Sequence, residues 1–399
     1  MKHTFFAFFL LMFLFVGVGD VHALSNKTTL KVAGWIPYWA VEDGTKSALE
    51  NISKLDEIYP FVYTIKNDGS LKDLGNLEQP EWQTLFTAAR KKKVAVIPTI
   101  TSGDGTAIHS ILSTTALRNA HVAAIAKMVK DGNYSGVDID YENRSKDTIL
   151  YFSLFLAQLK QKMGPDKKLV CTLEPRTPPD SLWKVVPNPL PYSNDYAILK
   201  NLCDVVQIMA YDQQRADLKL NDSKSGEPYY PNADIDWVEK VVAMTTVTMP
   251  KNKIMLGMPT YGRHVVMTVS PNWFQEYSNL GAINSADALD LAKEFAVQPS
   301  KNKAGEQSFT YIPQQTSAQV AEAISLMKVP KGTTSGMKVA MQALAYANKT
   351  GESVLINMVW WSDSQAVADK IALAKKYHLR GVAVFKVDGK EDTKIWKLF

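Results

Sequence analysis

Short apolar runs rich in β-branched and aromatic residues recur along the chain, and a longer segment with helical spacing follows most of them. In one such segment, residues 115–131, apolar side chains recur with the period of an amphipathic helix. This alternation is typical of βαβ units and a parallel sheet. Eight runs are predicted strands: Lys31–Ile36, Glu57–Ile65, Val94–Ile100, Gly136–Glu142, Lys168–Glu174, Asp204–Asp212, Ile254–Gly262 and Gly381–Val387.

Eight strands with connecting helices predict an α/β fold of the (β/α)₈ TIM barrel type, which typically needs about 250 residues. The alternative is a doubly wound open sheet. That fold would need a glycine-rich phosphate-binding turn after the first strand, and Gly34-Trp35-Ile36-Pro37 does not have this form. Pro60 removes a hydrogen-bond donor from the second predicted strand, so we expect a bulge or irregularity there.

The segment between the seventh and eighth predicted strands is too long for a simple connection. It contains patterns for its own helices and strands, at residues 285–296, 307–312, 317–327, 338–347 and 353–361. We therefore predict a small α+β insertion domain over residues 264–362. The barrel would then comprise residues 24–263 and 363–399.

Residues 1–23 have the form of a secretory signal peptide. Lys2 precedes an apolar run from Phe5 to Val18, and Val21-His22-Ala23 places small residues at the two positions that signal peptidase recognises. The run is several residues shorter than the roughly 20 needed to span a bilayer. We expect cleavage after Ala23, a secreted or periplasmic protein, and no membrane attachment after cleavage.

The composition is that of an ordinary globular protein: 399 residues, 46% hydrophobic and 21% charged, which excludes intrinsic disorder. The net charge of +5 is spread without a basic run, so no nucleic-acid partner is expected. No Cys or His spacing indicates a metal site. Cys171 and Cys203 could form a disulfide in an exported protein, but two buried free thiols are the favoured interpretation.

Candidate chemistry concentrates on the fourth predicted strand, Gly136-Val137-Asp138-Ile139-Asp140-Tyr141-Glu142. Because strand side chains alternate between faces, the three acids share one face and neighbours lie about 7 Å apart. Like charges this close cannot all ionise cheaply, so at least one acid should retain its proton. Glu142 comes last, at the C-terminal rim where barrel enzymes place their chemistry, and is the predicted general acid.

Two other interpretations of the acidic strand remain open. A solvated strand would show the same alternation, but a strand in the middle of a barrel has no bulk water on its polar face. Carboxylates also suit Mg²⁺ or Ca²⁺, and a metal-dependent sugar-processing enzyme would be inhibited by EDTA. Side chains along one strand form a line and not a cage, which favours acid catalysis without a metal.

Two further motifs follow the acidic strand along the chain: Met209-Ala210-Tyr211-Asp212 and Gly257-Met258-Pro259-Thr260-Tyr261-Gly262-Arg263. Together the three resemble the DGxDxDxE, MxYD and GxPxYGR elements of glycoside hydrolase family 18, the chitinase-like enzymes. The insertion domain is also similar to one that many members carry. The C-terminal region resembles the bacterial subgroup with spore-cortex-type N-acetylglucosaminidases. The resemblance extends from about Thr29 to the C-terminus.

The resemblance implies substrate-assisted retaining hydrolysis, in which the acetamide of the sugar attacks the anomeric carbon. Glu142 would protonate the glycosidic oxygen, Asp140 would orient the acetamide, Asp138 would share a proton with Asp140, and Tyr211 would donate to the acetamide oxygen. The remaining implied residues would bind substrate: Met209, Asp212, Tyr261, Arg263 and Phe385.

Two positions near the motifs depart from the family pattern. Ser135 replaces the first Asp of the signature, and Phe385 stands where the family usually presents a Trp as the floor of the sugar site. A phenyl ring still stacks on a sugar, with less area. Glu174 is the best candidate for an enzyme nucleophile, but a rim carboxylate pairing with Arg176 or another base is favoured.

Four tryptophans could add stacking surfaces, although core positions are favoured for each: Trp35, Trp39, Trp360 and Trp361.

The implied activity is cleavage of β-1,4 bonds next to N-acetylglucosamine in chitin oligomers, peptidoglycan-type glycans or N-glycans. The implied enzyme needs no cofactor, and we expect a monomer. The alternative is a catalytically silent glycan-binding protein on the same barrel. Silent members usually lose the acid or its neighbours, whereas all four implied catalytic residues are present here. Release of a fluorophore from a chitobioside separates the two hypotheses.

Overall fold

The computed structural model describes Met1 and residues 30–399, so the predicted signal peptide lies outside the described part apart from Met1. Its strands, in chain order, are β1 (Lys31–Pro37), β2 (Glu57–Ile65), β3 (Leu71–Asp73), β4 (Ala95–Val96), β5 (Thr99–Ser102), β6 (Gly136–Tyr141), β7 (Lys168–Leu173), β8 (Val205–Ile208), β9 (Ile254–Pro259), β10 (Tyr261–Ser270), β11 (Trp273–Asn284), β12 (Ser300–Lys301), β13 (Gln307–Tyr311), β14 (Val354–Trp361) and β15 (Gly381–Phe385).

Helices follow most barrel strands and cover the outside of the sheet. Along the chain they are α1 (Val41–Glu50), α2 (Pro80–Lys92), α3 (Gly105–Ser113), α4 (Thr115–Asp131), α5 (Ile149–Met163), α6 (Pro179–Leu182), α7 (Tyr196–Leu202), α8 (Leu218–Ser223), α9 (Ile235–Thr248), α10 (Ser285–Glu294), α11 (Ala318–Ser325), α12 (Lys338–Thr350) and α13 (Ser364–Lys376). Within the described residues, none of the helices has both the length and the apolar character needed to cross a membrane.

The parallel strands close into a barrel in the order β1, β15, β9, β8, β7, β6, β5, β2, and β1 also pairs with β2. The predicted (β/α)₈ barrel is therefore confirmed, with all eight predicted strands at barrel positions. The third position is split between β4 and β5. The irregularity expected from Pro60 is present as a register shift in the pairing of β2 with β5, between Phe61 and Tyr63.

A second, five-stranded antiparallel sheet lies between the seventh and eighth barrel strands, in the order β11, β10, β14, β13, β12. The predicted insertion domain is thus present. Its long hairpin of β10 and β11 was not predicted; residues of β11 in particular alternate weakly, and many of them are exposed. Only Thr260 separates β9 of the barrel from β10, so the seventh barrel strand leads directly into the insertion sheet.

Cys171 of β7 and Cys203, which precedes β8, form a disulfide between neighbouring strands. The favoured interpretation of two free thiols is therefore wrong. Both residues are fully buried, which the apolar runs around them predicted. Their pairing depends on the barrel placing β7 beside β8, a long-range contact that spacing alone does not reveal.

Candidate active site

The first acid of the β6 row, Asp138, points into the barrel and is completely buried. Its Oδ2 accepts hydrogen bonds from Trp35 Nε1 at 3.1 Å and Thr99 Oγ1 at 2.8 Å, and its Oδ1 accepts from Thr172 Oγ1 at 2.7 Å. Burial raises the pKa of Asp138 to about 6, although these donors favour the charged form and oppose the rise. Asp138 is thus held rigidly from three strands.

Asp140, the second acid, is also buried, and Thr101 Oγ1 donates to its Oδ2 at 3.1 Å. Within the described part of the chain, its buried Oδ1 has no hydrogen-bond partner. Burial, followed by the charges of Glu142 and Asp138, holds the pKa of Asp140 well above its usual range. The environment of Asp140 therefore favours its protonated form, and its Oδ1 is unused and can make a further hydrogen bond.

Glu142 lies just beyond the end of β6 and is half-buried. Its backbone N–H donates to the carbonyl oxygen of Ser102 at 2.9 Å, which continues the strand pairing to this residue. Burial, and then the charges of Glu174 and Asp212, raise the pKa of Glu142 to about 7. A carboxyl group with this pKa is substantially protonated at neutral pH and is suited to acid catalysis.

Glu174 follows β7 and contacts the backbone beside Glu142. Its Oε1 accepts from the backbone N–H of Asn143 at 2.8 Å, and its Oε2 accepts from Ser193 Oγ at 3.3 Å. The expected ion pair with Arg176 or another base is not found among the described residues, and the Arg176 guanidinium lies over the Tyr192 ring at 3.9 Å and over a second tyrosine ring. Stacking on two aromatic faces turns the arginine away from the carboxylate.

Aromatic side chains form the surface facing the acids. The rings of Tyr211 and Phe385 stack with centroids 5.4 Å apart and planes 11° apart, and Tyr261 contacts both rings edge-on. Burial holds the pKa of Tyr211 well above its usual range, so its hydroxyl remains a donor at physiological pH. Met209, just beyond β8, is only partly buried and packs against the apolar core.

Asp212 links the second and third sequence motifs. Its backbone has a left-handed φ of 55°, and its carboxylate accepts from the Tyr261 hydroxyl at 2.8 Å and from Arg263 Nε at 3.0 Å. Buried Asn232 accepts from the backbone N–H of Asp212 at 3.2 Å and donates to the carbonyl of Tyr261 at 2.7 Å. Asn232 thus fixes both motifs, and no sequence pattern singled it out.

An aromatic series extends from Phe385 toward the barrel mouth. Phe61 lies 6.0 Å from Phe385, and Trp39 lies 5.8 Å from Phe61, measured between ring centroids. The expectation of a core position is wrong for Trp39, which is 52% exposed. It is confirmed for Trp35, and also for Trp360 and Trp361 in the insertion sheet.

The structure therefore brings together Asp138, Asp140 and Glu142 on one side and Tyr211, Asp212, Tyr261, Arg263 and Phe385 on the other. The hydroxyl donors around the acids were not predicted from the sequence. Their one signal is a threonine at an inward position of an otherwise apolar strand, as at Thr99 and Thr172. Among the described residues, the side chains of His, Cys, Asp and Glu form no group of three placed to bind a metal ion.

Similarity to known proteins agrees with this geometry. A family model described as "Glycosyl hydrolases family 18" matches residues 31–390. The uncharacterized glycosylase YvbX of Bacillus subtilis (strain 168) is 23% identical over 321 residues, which cover 78% of this chain and 76% of YvbX.

Two solved structures share the fold. The Bacillus cereus spore cortex-lytic enzyme SleL has a TM-score of 0.66 and 18% identity over 92% of this chain and 73% of its own. A chitinase from Chromobacterium violaceum ATCC 12472 has a TM-score of 0.66 and 19% identity over 93% of this chain and 98% of its own. The family match covers most of the chain, so this protein is a member of glycosyl hydrolase family 18.

Proposed function

We propose that this glycosidase is an exported enzyme that cleaves β-1,4 bonds next to N-acetylglucosamine by substrate-assisted retaining catalysis. The observation that carries the proposal is Asp140, whose buried Oδ1 lacks a partner among the described residues and lies next to a carboxyl group poised to donate a proton. An acetamide N–H would satisfy this oxygen. A sugar without the N-acetyl group would leave it buried and unpaired, which costs about 1–3 kcal/mol.

In the proposed first step, Glu142 protonates the glycosidic oxygen as the bond from that oxygen to the anomeric carbon breaks. The carbonyl oxygen of the acetamide forms the new bond to the anomeric carbon and gives a cyclic oxazolinium ion. Asp140 accepts a hydrogen bond from the acetamide N–H, and Asp138 and Asp140 share one proton. Tyr211 donates to the acetamide oxygen, and the stacked Phe385 supports the sugar ring.

In the second step, a water molecule attacks the anomeric carbon from the side of Glu142. Glu142 takes a proton from this water, the bond to the acetamide oxygen breaks, and the product keeps the original anomeric configuration. Glu174 does not fit the role of an enzyme nucleophile. It is hydrogen-bonded to the backbone of Asn143, beside the acid, whereas a nucleophile must attack the opposite face of the sugar.

Hydrolysis of a fluorogenic chitobioside and chitotrioside tests the proposal. We expect Glu142→Gln to reduce turnover by about 10²–10⁴-fold, the contribution of one positioned proton donor. A thiazoline mimic of the cyclic intermediate should inhibit the wild-type protein competitively. Turnover above a tenth of wild type in Glu142→Gln, or insensitivity to the thiazoline at concentrations well above the substrate KM, would contradict the assigned chemistry.

The natural polymer is proposed as chitin-type or peptidoglycan-type glycan. SleL is named a spore cortex-lytic enzyme and the Chromobacterium violaceum protein a chitinase, and these two names support the proposal. Export is proposed from the form of residues 1–23. It is tested by fractionating cells that express the full chain and by sequencing the N-terminus of the extracellular form, which should begin at Leu24.

A further inference from the structure

A second groove, separate from the acids, lies between the barrel and the flank of the insertion domain. One wall is the connection after β8, which includes α8, and the other comprises the hairpin of β10 and β11 together with α12. The groove has a volume of about 210 Å³. Its lining includes Arg215, Asn221, Glu227, Trp273 and Tyr277.

Trp273 is the most exposed tryptophan of the described chain, at 60%, and stands at the tip of the hairpin. The tip is fixed by hydrogen bonds. The backbone N–H of Asn272 donates to Asn348 Oδ1 at 2.6 Å, Ser270 Oγ lies 2.8 Å from Ser353 Oγ, and the adjacent Gln275 also donates to Ser270. The exposed indole of Trp273 is therefore carried on an anchored hairpin tip, where it is available to contact a ligand.

The lining suits a sugar ring. Trp273 and Tyr277 offer aromatic surface to the C–H faces of a pyranose. Arg215, Asn221 and Glu227 offer donors and acceptors that match its hydroxyl and amide groups. Because the charged side chains have both signs, the groove fits a neutral, polar polymer better than a strongly charged one.

Side-chain contacts connect one wall of the groove to the candidate active site. The ring of Tyr277 stacks on Tyr230 with centroids 5.0 Å apart and planes 13° apart. The Tyr230 hydroxyl donates to Gln214 Oε1 at 2.9 Å, two residues beyond Asp212. Arg263 and Asp212 both act electrostatically on the Tyr230 hydroxyl. Buried Tyr230 therefore connects Tyr277 of the groove to the segment that carries Asp212.

The groove is too far from the acids for a short substrate to reach both. Arg263 lies near one end of β10, and Ser270, which pairs with Trp273, lies at the other. They are seven positions apart along the strand, a distance of about 24 Å. Only a glycan several sugars long could occupy the active site and contact Trp273 together.

We infer that this groove is an accessory glycan-binding site that holds a segment of a neutral N-acetylglucosamine polymer several sugars away from the bond that is cut. The inference rests on the proposed function, since the occupant is a continuation of the proposed substrate. The site would increase the affinity for the polymer and leave hydrolysis of short glycosides unchanged.

The test measures binding and turnover separately. Binding to insoluble chitin and to purified peptidoglycan is measured in a Glu142→Gln background, so that the polymer is not cut. Trp273→Ala is compared with Trp273→Phe, which keeps an aromatic face, and with Leu326→Ala, a control at an exposed residue of the same domain outside this groove. The same substitutions in the otherwise wild-type protein are assayed for kcat/KM on a fluorogenic chitobioside.

We expect Trp273→Ala to weaken binding to at least one polymer by about tenfold, the scale of one lost aromatic contact, with a smaller loss in Trp273→Phe. Chitobioside kcat/KM should stay within about twofold for all three, as for ordinary surface substitutions. Polymer binding by Trp273→Ala equal to that of Leu326→Ala would overturn the inference, as would failure of the parent to bind either polymer. Failure of the proposed function would instead appear as a wild-type protein that binds a polymer and releases no fluorophore.

Discussion

Removal of the Glu174 charge is expected to lower the pKa of Glu142 and to move the alkaline limb of the pH–rate profile. Burial is the largest cause that raises this pKa to about 7 from an ordinary value of 4.5, and the Glu174 charge is the second. Glu174 should therefore account for less than half of the rise, or about one pH unit, which corresponds to 1.4 kcal/mol. Glu174→Gln keeps an oxygen that can accept from Asn143, so the loop geometry is retained.

The direction in which the alkaline limb moves follows from the role of Glu142 as a proton donor. A proton donor is active when protonated, so activity is present below its pKa and is lost as the pH rises through it. In wild type the loss of activity with rising pH should centre near pH 7, and in Glu174→Gln it should centre about one pH unit lower. At about pH 8 the variant should then retain roughly a tenth of the wild-type activity, when each is scaled to its own acidic plateau.

The assay is kcat/KM for a fluorogenic chitobioside across about pH 4–9, which reports groups of the free enzyme. Glu322→Gln, which removes an exposed charge on α11 of the insertion domain, is the control and should leave the profile unchanged. An alkaline limb that does not move in Glu174→Gln, or that moves to higher pH, would refute the argument that Glu174 stabilises the protonated form of Glu142.

Three further outcomes are expected. Asp140→Asn should lower chitobioside kcat by about 10²-fold or more with little effect on the melting temperature, because the amide cannot share a proton with Asp138; kcat above a tenth of wild type would contradict this. Trp39→Ala should raise KM for chitotrioside about tenfold and leave a short glycoside unaffected, since the exposed ring extends the aromatic series; equal effects on both substrates would contradict a separate stacking position. Cys171→Ala/Cys203→Ala should lower the free energy of unfolding by about 3–4 kcal/mol, from the 32-residue separation of the bridged residues; urea unfolding at an unchanged midpoint would contradict it.

The barrel could be predicted because each of its strands is a short apolar run followed by a helix or a long connection. The periodicity of residues 136–142 also placed the acids on the inward face, where the structure has them. The hairpin of β10 and β11 was not predicted, because residues 273–284 are largely exposed and carry little apolar alternation. An edge strand stabilised by its partner strand has a weak pattern of its own.

The candidate site was predictable where a motif carried it and unpredictable where a tertiary contact created it. Asp138, Asp140 and Glu142 lie on one strand, so their geometry follows from a two-residue period. Asn232 contacts Asp212 and Tyr261 only because a connecting loop folds back over two barrel strands. Glu174 was placed at the rim correctly, but its partner could not be chosen between Arg176 and the Asn143 backbone without coordinates.

The most direct test of the central claim compares two glycosides with the same leaving group, one of N-acetylglucosamine and one with a hydroxyl in place of the acetamide. If the acetamide attacks the anomeric carbon while Asp140 orients it, kcat/KM for the N-acetyl glycoside should be higher by about a thousandfold or more, since an intramolecular nucleophile is lost in the other. Rates within about tenfold of each other would show that the acetamide is only a binding group and would contradict substrate-assisted catalysis.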